Sequence, residues 1–323
     1  RGVLRLSLRQ STPPTPGQPQ KQPLVIPLLW ALVPANGQPG DEQLLVLDQE
    51  EHTLELKGLP CSEQPPALSL FRQFSAPVQW EASQEPAELF TLLACDNDPF
   101  ARWDAGQQLW RRVLLARASG SPNADLERQM LEALTVLLAP DGEQDPAVLS
   151  TLMAFPGGPE LEALQREADP PALYRAACEL REQLGQSLAP LLRERLNRVA
   201  ADLELAWPEG QGQRQLTGLI WTWLAAAGDS AVRAAALTAV MGPSMTLARA
   251  ALRALQPLEC PEREEALRQF HDRWQEKPVI FDSWFALEAS TPRADGLQRV
   301  SALLQHPRSV SYTHLTLPTT PYV

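Results

Sequence analysis

A chain of 323 residues with 44% apolar side chains is long enough for two domains with real cores and too apolar to remain unstructured. Its 28 basic residues against 39 acidic ones give a net charge of −11, which argues against nucleic acid or an anionic membrane as partner and favours solubility. The only lysines are Lys21, Lys57 and Lys277, and so strong a preference for arginine reads as GC-rich coding before any function.

Residues 1–82 read as short strands with Pro/Gly turns. Val3–Leu8 alternates, Thr12–Pro19 is a turn-rich connection, and Leu24–Val33 is a longer apolar strand. Pro27 inside it predicts an edge position or a bulge. Leu44–Leu47 and Thr53–Leu56 are predicted to pair through the acidic turn Asp48–Glu51, and Leu68–Phe74 with Val78–Trp80 to close the set. Five or six such strands make a small sandwich, and a truncated first strand would leave one sheet edge open.

After a short hinge at Ser83–Pro86 the spacing becomes helical. Glu88–Cys95 is the first helix and Phe100–Arg117 the second, capped by Asp98 with Pro99 at its first position. Phe100, Trp103, Gln107 and Trp110 share one face of it, which must be buried against neighbouring helices and the β segment upstream. Ser119–Pro122 ends this helix and Asn123 caps Leu126–Leu138. Asp145-Pro146 and Asp169-Pro170 repeat the cap-then-proline device, Pro156–Pro159 is a turn, and Pro190 kinks or divides the run Ala172–Leu205. Leu216–Ala226, apolar nearly all round through Ile220, Trp221, Trp223 and Leu224, belongs at the centre of the helical core. Ala231–Val240, Met245–Leu255, Arg263–Trp274, Phe281–Glu288 and Leu297–Gln305 complete about twelve short helices with no heptads and no strict period. The class is therefore α+β: a β-sandwich over 1–82, then a larger, irregular solenoid-like helical domain over 83–308.

Ser309–Val323 differs in composition, with no Asp, Glu, Lys or Ala and with Tyr312 and Tyr322, two of the three tyrosines. Residues 309–323 look like translated sequencing-adaptor read-through, a non-native tail that cuts the helical domain short. Cys61, Cys95, Cys178 and Cys260 form no C-x-x-C pair and predict reduced thiols in a reducing, cytoplasmic compartment. The most apolar run, Leu216–Ala227, is too short to cross a bilayer. The chain begins at Arg1 without Met, at the start of a predicted strand, so a missing signal peptide carries no weight.

The segment Asp98-Pro99-Phe100-Ala101-Arg102-Trp103-Asp104-Ala105-Gly106-Gln107 resembles the opening of the helical domain in bacterial-type aminopeptidase N, a family of gluzincin zinc metallopeptidases. Phe74–Val78 resembles the last strand of that family's sandwich, and Thr15–Gln18 with Lys21–Leu24 also fits it. Trp274–Ala289 resembles a helix pair of the helical domain, although Ser283 stands where a basic residue is expected. The blocks keep their order and rough spacing from about residue 1 to about residue 308.

The resemblance implies a zinc-dependent aminopeptidase acting on peptide substrates, with this chain supplying a sandwich strut and a helical cap over the active-site chamber. His-Glu-x-x-His, which would place two zinc ligands one turn apart, is absent: no two of His52, His271, His306 and His314 are four residues apart. The family's Gly-x-Met-Glu-Asn stretch is absent too, so the resemblance puts both catalytic elements in a domain upstream of Arg1. Zinc then belongs to the parent enzyme and no metal to this part, which is expected to be inactive alone.

No catalytic, cofactor-binding or metal residue is assigned. The acidic cluster of Asp96, Asp98, Glu85 and Glu88 is explained by helix capping, and Glu262, Glu264 and Glu265 by the helix dipole. Ser283 and Ser301 lack a recognisable His and acid, phosphate-binding glycine loops are missing, and Trp103, Trp110, Trp221 and Trp223 read as core. The alternative reading is a non-catalytic helical scaffold for protein–protein interaction.

Overall fold

Alternating leucines build the first layer of the computed structural model, which describes residues 2–35, 37–59 and 65–307. Cys61, His314 and the 309–323 tail lie outside the described residues. Strand β1 (Gly2–Arg9) pairs antiparallel with β4 (Glu51–Leu59), Leu6 opposite Leu54 and Leu4 opposite Leu56. The other side of this two-stranded sheet is polar, with Arg5 bonded to Glu55 across the strands. A second sheet has the order β3-β2-β5, from β3 (Gln43–Leu47), β2 (Ile26–Val33) and β5 (Ala67–Leu70). Leu28, Trp30, Leu45, Leu47 and Leu70 form its buried face, and Leu6, Leu8, Leu54 and Leu56 of the first sheet pack against them.

Three expectations are corrected here. Leu44–Leu47 and Thr53–Leu56 do not pair: β3 pairs with β2 and β4 with β1, and the chain crosses between the sheets after Leu47. The crossing lets both leucine stripes face one core from opposite sides, whereas a hairpin would set them side by side and leave the β1 leucines without a partner layer. Pro27 lies in the central strand, not at an edge or bulge. N–H groups alternate along a strand, and that of Leu29 points to the β5 side, where it donates to Ser75 Oγ at 3.1 Å. Pro27 faces the same way, but the ladder with β5 starts only at Trp30, so no donor is missed. The last predicted strands shrink to β5: a 3₁₀ turn (Arg72–Phe74) follows, and Val78 and Trp80 reach the core from extended chain without pairing.

Thirteen α-helices follow among the described residues: α1 (Pro86–Cys95), α2 (Pro99–Ala118), α3 (Ala124–Leu138), α4 (Pro146–Met153), α5 (Gly158–Ala163), α6 (Pro170–Ser187), α7 (Ala189–Val199), α8 (Gln211–Ala226), α9 (Ser230–Val240), α10 (Met245–Leu255), α11 (Pro261–Trp274), α12 (Pro278–Ala289) and α13 (Gly296–Leu303). The three Asp-Pro devices cap as predicted, Asp98, Asp145 and Asp169 accepting the N–H of Ala101, Ala147 and Ala172. Pro190 sits in the first turn of α7, making it a boundary and not a kink. The predicted turn Pro156–Pro159 leads straight into α5, which is too short to show a helical period. The order of a small β region and a larger helical region is thus the α+β arrangement expected.

The contacts divide the chain into two compact units, Arg1–Leu137 with Phe155–Leu173, and Leu138–Ala154 with Tyr174–Val323. In the second, α8 is the common support: Ile220, Trp223 and Leu224 are fully buried, and α4, α7, α9 and α10 all pack on it. Two glycines allow close approaches to α8 and from it. A Cβ on Gly218 would stand 2.7 Å from Ala250 Cβ of α10, and one on Gly185 of α6 only 2.3 Å from the Trp223 carbonyl oxygen.

Within the first unit, the sandwich is joined to α1 and α2 through Arg72. Its buried guanidinium donates to Glu42, to Ser69 Oγ at 3.2 Å, to Asp96 Oδ1 at 2.5 Å and to Asn97 Oδ1 at 2.5 Å. Burial would depress the Arg72 pKa, but the carboxylates of Glu42 and Asp96 outweigh it and hold the pKa above its ordinary value. The turn carrying Arg72 is strained: Phe71, Gln73 and Phe74 have φ of 53°, 55° and 52°, in the left-handed region that side chains disfavour. The start of α2 holds it. Asp98 Oδ2 accepts the Gln73 N–H at 3.0 Å, and Phe74 meets Phe100 edge-on at 5.2 Å.

Arg72→Met leaves the Asp96 carboxylate buried without its cation, so we expect a loss of about 3–5 kcal/mol in urea unfolding. An unchanged midpoint would show that the joint contributes nothing to stability.

Candidate functional site

Two arginines of α7, Arg195 and Arg198, help line a concavity of mixed chemistry in the second unit. Arg193 pairs with Asp229, the N-cap of α9, at 2.6 Å. Arg195 is buried and donates to the Leu138 and Ala139 carbonyls at 2.9 and 2.6 Å, satisfying acceptors that the end of α3 leaves open. Burial, and then the neighbouring charge of Arg198, lower the Arg195 pKa from its ordinary value. Arg198 donates to the Pro140 carbonyl at 3.2 Å and to Glu194 at 2.5 Å.

Beside this pair opens a cavity of about 240 Å³ between α4, α7, α8 and the 3₁₀ turn Ala200–Asp202. Pro146, Leu149, Val199 and Leu216 supply apolar lining, and Gln144, Asp202 and Gln213 join Arg195 and Arg198 as polar lining. Gln144 spends its amide N–H groups on the Pro140 and Gly142 carbonyls, which leaves its oxygen free to accept. No sequence motif announces this cleft, because its residues come from three separate segments, 144–149, 195–202 and 213–216. Its one local signal was the i,i+4 spacing of Arg198 and Asp202.

The residues singled out in the sequence have structural roles. Glu85 and Glu88 form the capping box of α1, while Asp96 and Asp98 serve the Arg72 joint and the α2 cap. Glu264 does more than suit a helix dipole. It pairs with Arg263 at 2.7 Å and Arg299 at 2.9 Å, in a network with Glu288 and Asp295 that ties α11, α12 and α13 together. Trp110 and Trp223 are fully buried, Trp110 packing on Phe155 at 4.7 Å. The Ser301 hydroxyl donates to Leu297 of its own helix, and Ser283 sits on α12. His52 lies on β4 opposite Leu8. His271 and His306 join a cluster with Phe281, Trp284 and Phe285, their ring centres 6.2 Å apart.

Among the described residues, no group of three His, Cys, Asp or Glu side chains is placed to hold a metal ion. Cys95 and Cys178 are half-buried free thiols and Cys260 a buried one. No helix among the described residues is long and apolar enough to cross a membrane.

A family model for a domain of unknown function with an Ig-like fold, DUF3458, matches residues 1–83, and one for a domain of unknown function with ARM repeats, DUF3458_C, matches residues 86–310. The chain belongs to the DUF3458_C family. Aminopeptidase N of Caulobacter vibrioides is 36% identical over 284 residues, which are 83% of this chain and 31% of that protein. Aminopeptidase N of Escherichia coli is 29% identical over 318 residues, 93% of this chain and 36% of that protein. These homologues confirm the resemblance read from the sequence, and the chain spans about a third of their length. A crystal structure of Legionella pneumophila aminopeptidase A in complex with aspartic acid superposes with a TM-score of 0.80 at 22% identity, covering 97% of this chain and 37% of that one, and so shares the fold.

The pH dependence of the α7–α9 contact follows from Asp229. Burial pushes its carboxyl up, but the Val232 N–H and the Arg193 guanidinium prevail and hold it below the ordinary carboxylate range. A depressed carboxyl stabilises the fold above its unfolded pKa of about 3.9, and that contribution is lost as pH falls through the lower folded value. We expect Asp229→Asn to melt below the parent protein at pH 6–7 and the gap to close toward about pH 3. A gap independent of pH in thermal melts would rule this out.

Proposed function

We propose that this chain is part of a zinc-dependent aminopeptidase that removes N-terminal residues from peptides. In it the sandwich (1–82) acts as a strut and the helical domain (83–308) as a cap over the chamber where peptides are trimmed. The observation that carries the reading is the extent of the similarity: aminopeptidase N relatives align with 83% and 93% of the chain, through both regions. This reading gives the chain no part in activating water or breaking the peptide bond. Its contribution is steric, limiting entry and holding the peptide in place, while a catalytic domain earlier in the same polypeptide carries the metal. The surroundings proposed are cytoplasmic, with peptides as substrates and neither nucleic acid nor membrane as partner. Residues 309–323 are read as a non-native tail. No specific observation favours the scaffold alternative.

The test is direct. The purified 323-residue chain should carry no stoichiometric zinc by elemental analysis and should leave leucine p-nitroanilide uncleaved. Zinc-dependent turnover by this chain alone would overturn the division of labour. So would an upstream reading frame without His-Glu-x-x-His.

A further inference from the structure

Opposite charges one helical turn apart normally pair with each other. Arg198 and Asp202 do not: Arg198 turns to Glu194 and the Pro140 carbonyl, and the Asp202 carboxylate makes no hydrogen bond or ion pair with the described residues. Both line the same cavity, whose apolar side is formed by Leu149, Val199 and Leu216. Gln213 lines it too, its amide unengaged by the described residues, and the free oxygen of Gln144 is also present. The cleft thus offers a cation, an unpaired anion, amide donors and acceptors, and an apolar wall. At about 240 Å³ it is smaller than the roughly 300–1,000 Å³ of sites that take drug-sized molecules.

A single-headed anion fits poorly, because the unpaired Asp202 carboxylate would repel it. A simple amine would leave the guanidinium unused. The complementary ligand carries both charges on one small framework with an apolar side chain. We propose that this cleft binds a free α-amino acid with an aliphatic side chain. Arg198 and the Gln213 amide receive its carboxylate, Asp202 and the Gln144 oxygen receive its ammonium, and Leu149, Val199 and Leu216 cover its side chain. The inference stands on the cleft alone and does not need the peptidase reading, although such an amino acid is what a peptidase of that kind would release.

Calorimetric or NMR titration of the 323-residue chain with L-leucine tests it, with 4-methylpentanoate and 3-methylbutylamine as the analogues that each lack one charge. L-Leucine should saturate one site with a dissociation constant on the order of millimolar or tighter, and each analogue should bind about tenfold or more weaker. Asp202→Asn removes a negative charge that has no partner among the described residues, so it should keep the parent melting temperature and weaken leucine about tenfold. Arg198→Gln should do the same to affinity; should it fail to fold, Asp202→Asn with the analogue series still decides. No saturation by about 10 mM leucine, or equal binding to the parent chain and Asp202→Asn, overturns the proposal. Either failure leaves the peptidase reading untouched, since that reading is judged by zinc and turnover.

Discussion

The guanidinium of Arg72 makes two kinds of structure agree. One side of it belongs to the sandwich, through Ser69 and Glu42, and the other to the link between α1 and α2, through Asp96 and Asn97. A planar fork with five donors can serve four partners in different directions, which a lysine ammonium cannot do. Arg72, Ser69 and Asp96 lie out of water, and a carboxylate kept at the depth of Asp96 is tolerable only beside its cation. The left-handed turn of Phe71, Gln73 and Phe74 aims the arginine inward, and Asp98 and Phe100 hold that turn in place. The segment 97–107 therefore serves both as the opening of a helix and as the clamp on the strand region before it.

Much of what depends on neighbours in sequence was legible. Asp98-Pro99, Asp145-Pro146 and Asp169-Pro170 each started a helix because a cap and a proline act within one turn. The alternation of Leu4, Leu6 and Leu8 marked a strand with one dry side, and the encircling apolarity of Ile220, Trp223 and Leu224 marked the central helix. What failed depends on partners distant in sequence. Nothing in Leu44–Leu47 says which strand it will lie beside, and the short acidic connection to Thr53–Leu56 suits a hairpin as well as a crossing. Pro27 misled because the rule concerns where a missing N–H would have pointed, not whether a strand is central.

The candidate site was less legible still. Arg195 and Arg198 looked like ordinary charges on a helix, and only the fold shows them answering the carbonyl end of α3. Arg263 and Glu288 hid in the same way: both are buried, and their network spans three helices. In a chain that uses arginine almost exclusively as its cation, composition gives no hint which guanidiniums are solvated and which are structural. Family resemblance supplied what pattern could not, because three ordered blocks constrain a whole domain where one charged residue constrains nothing.

The crossing after Leu47 also sets an order of assembly. β2 and β3 are neighbours in sequence and in one sheet, so they can meet early at small entropic cost. β1 must wait for β4, its contact between Arg5 and Glu55 joining residues 50 positions apart, with β2 and β3 lying within the loop it closes. During synthesis β1 therefore emerges ahead of the residues it pairs with, Arg5 50 positions before Glu55. Until β4 follows, the leucine side of β1 has no strand to pair with.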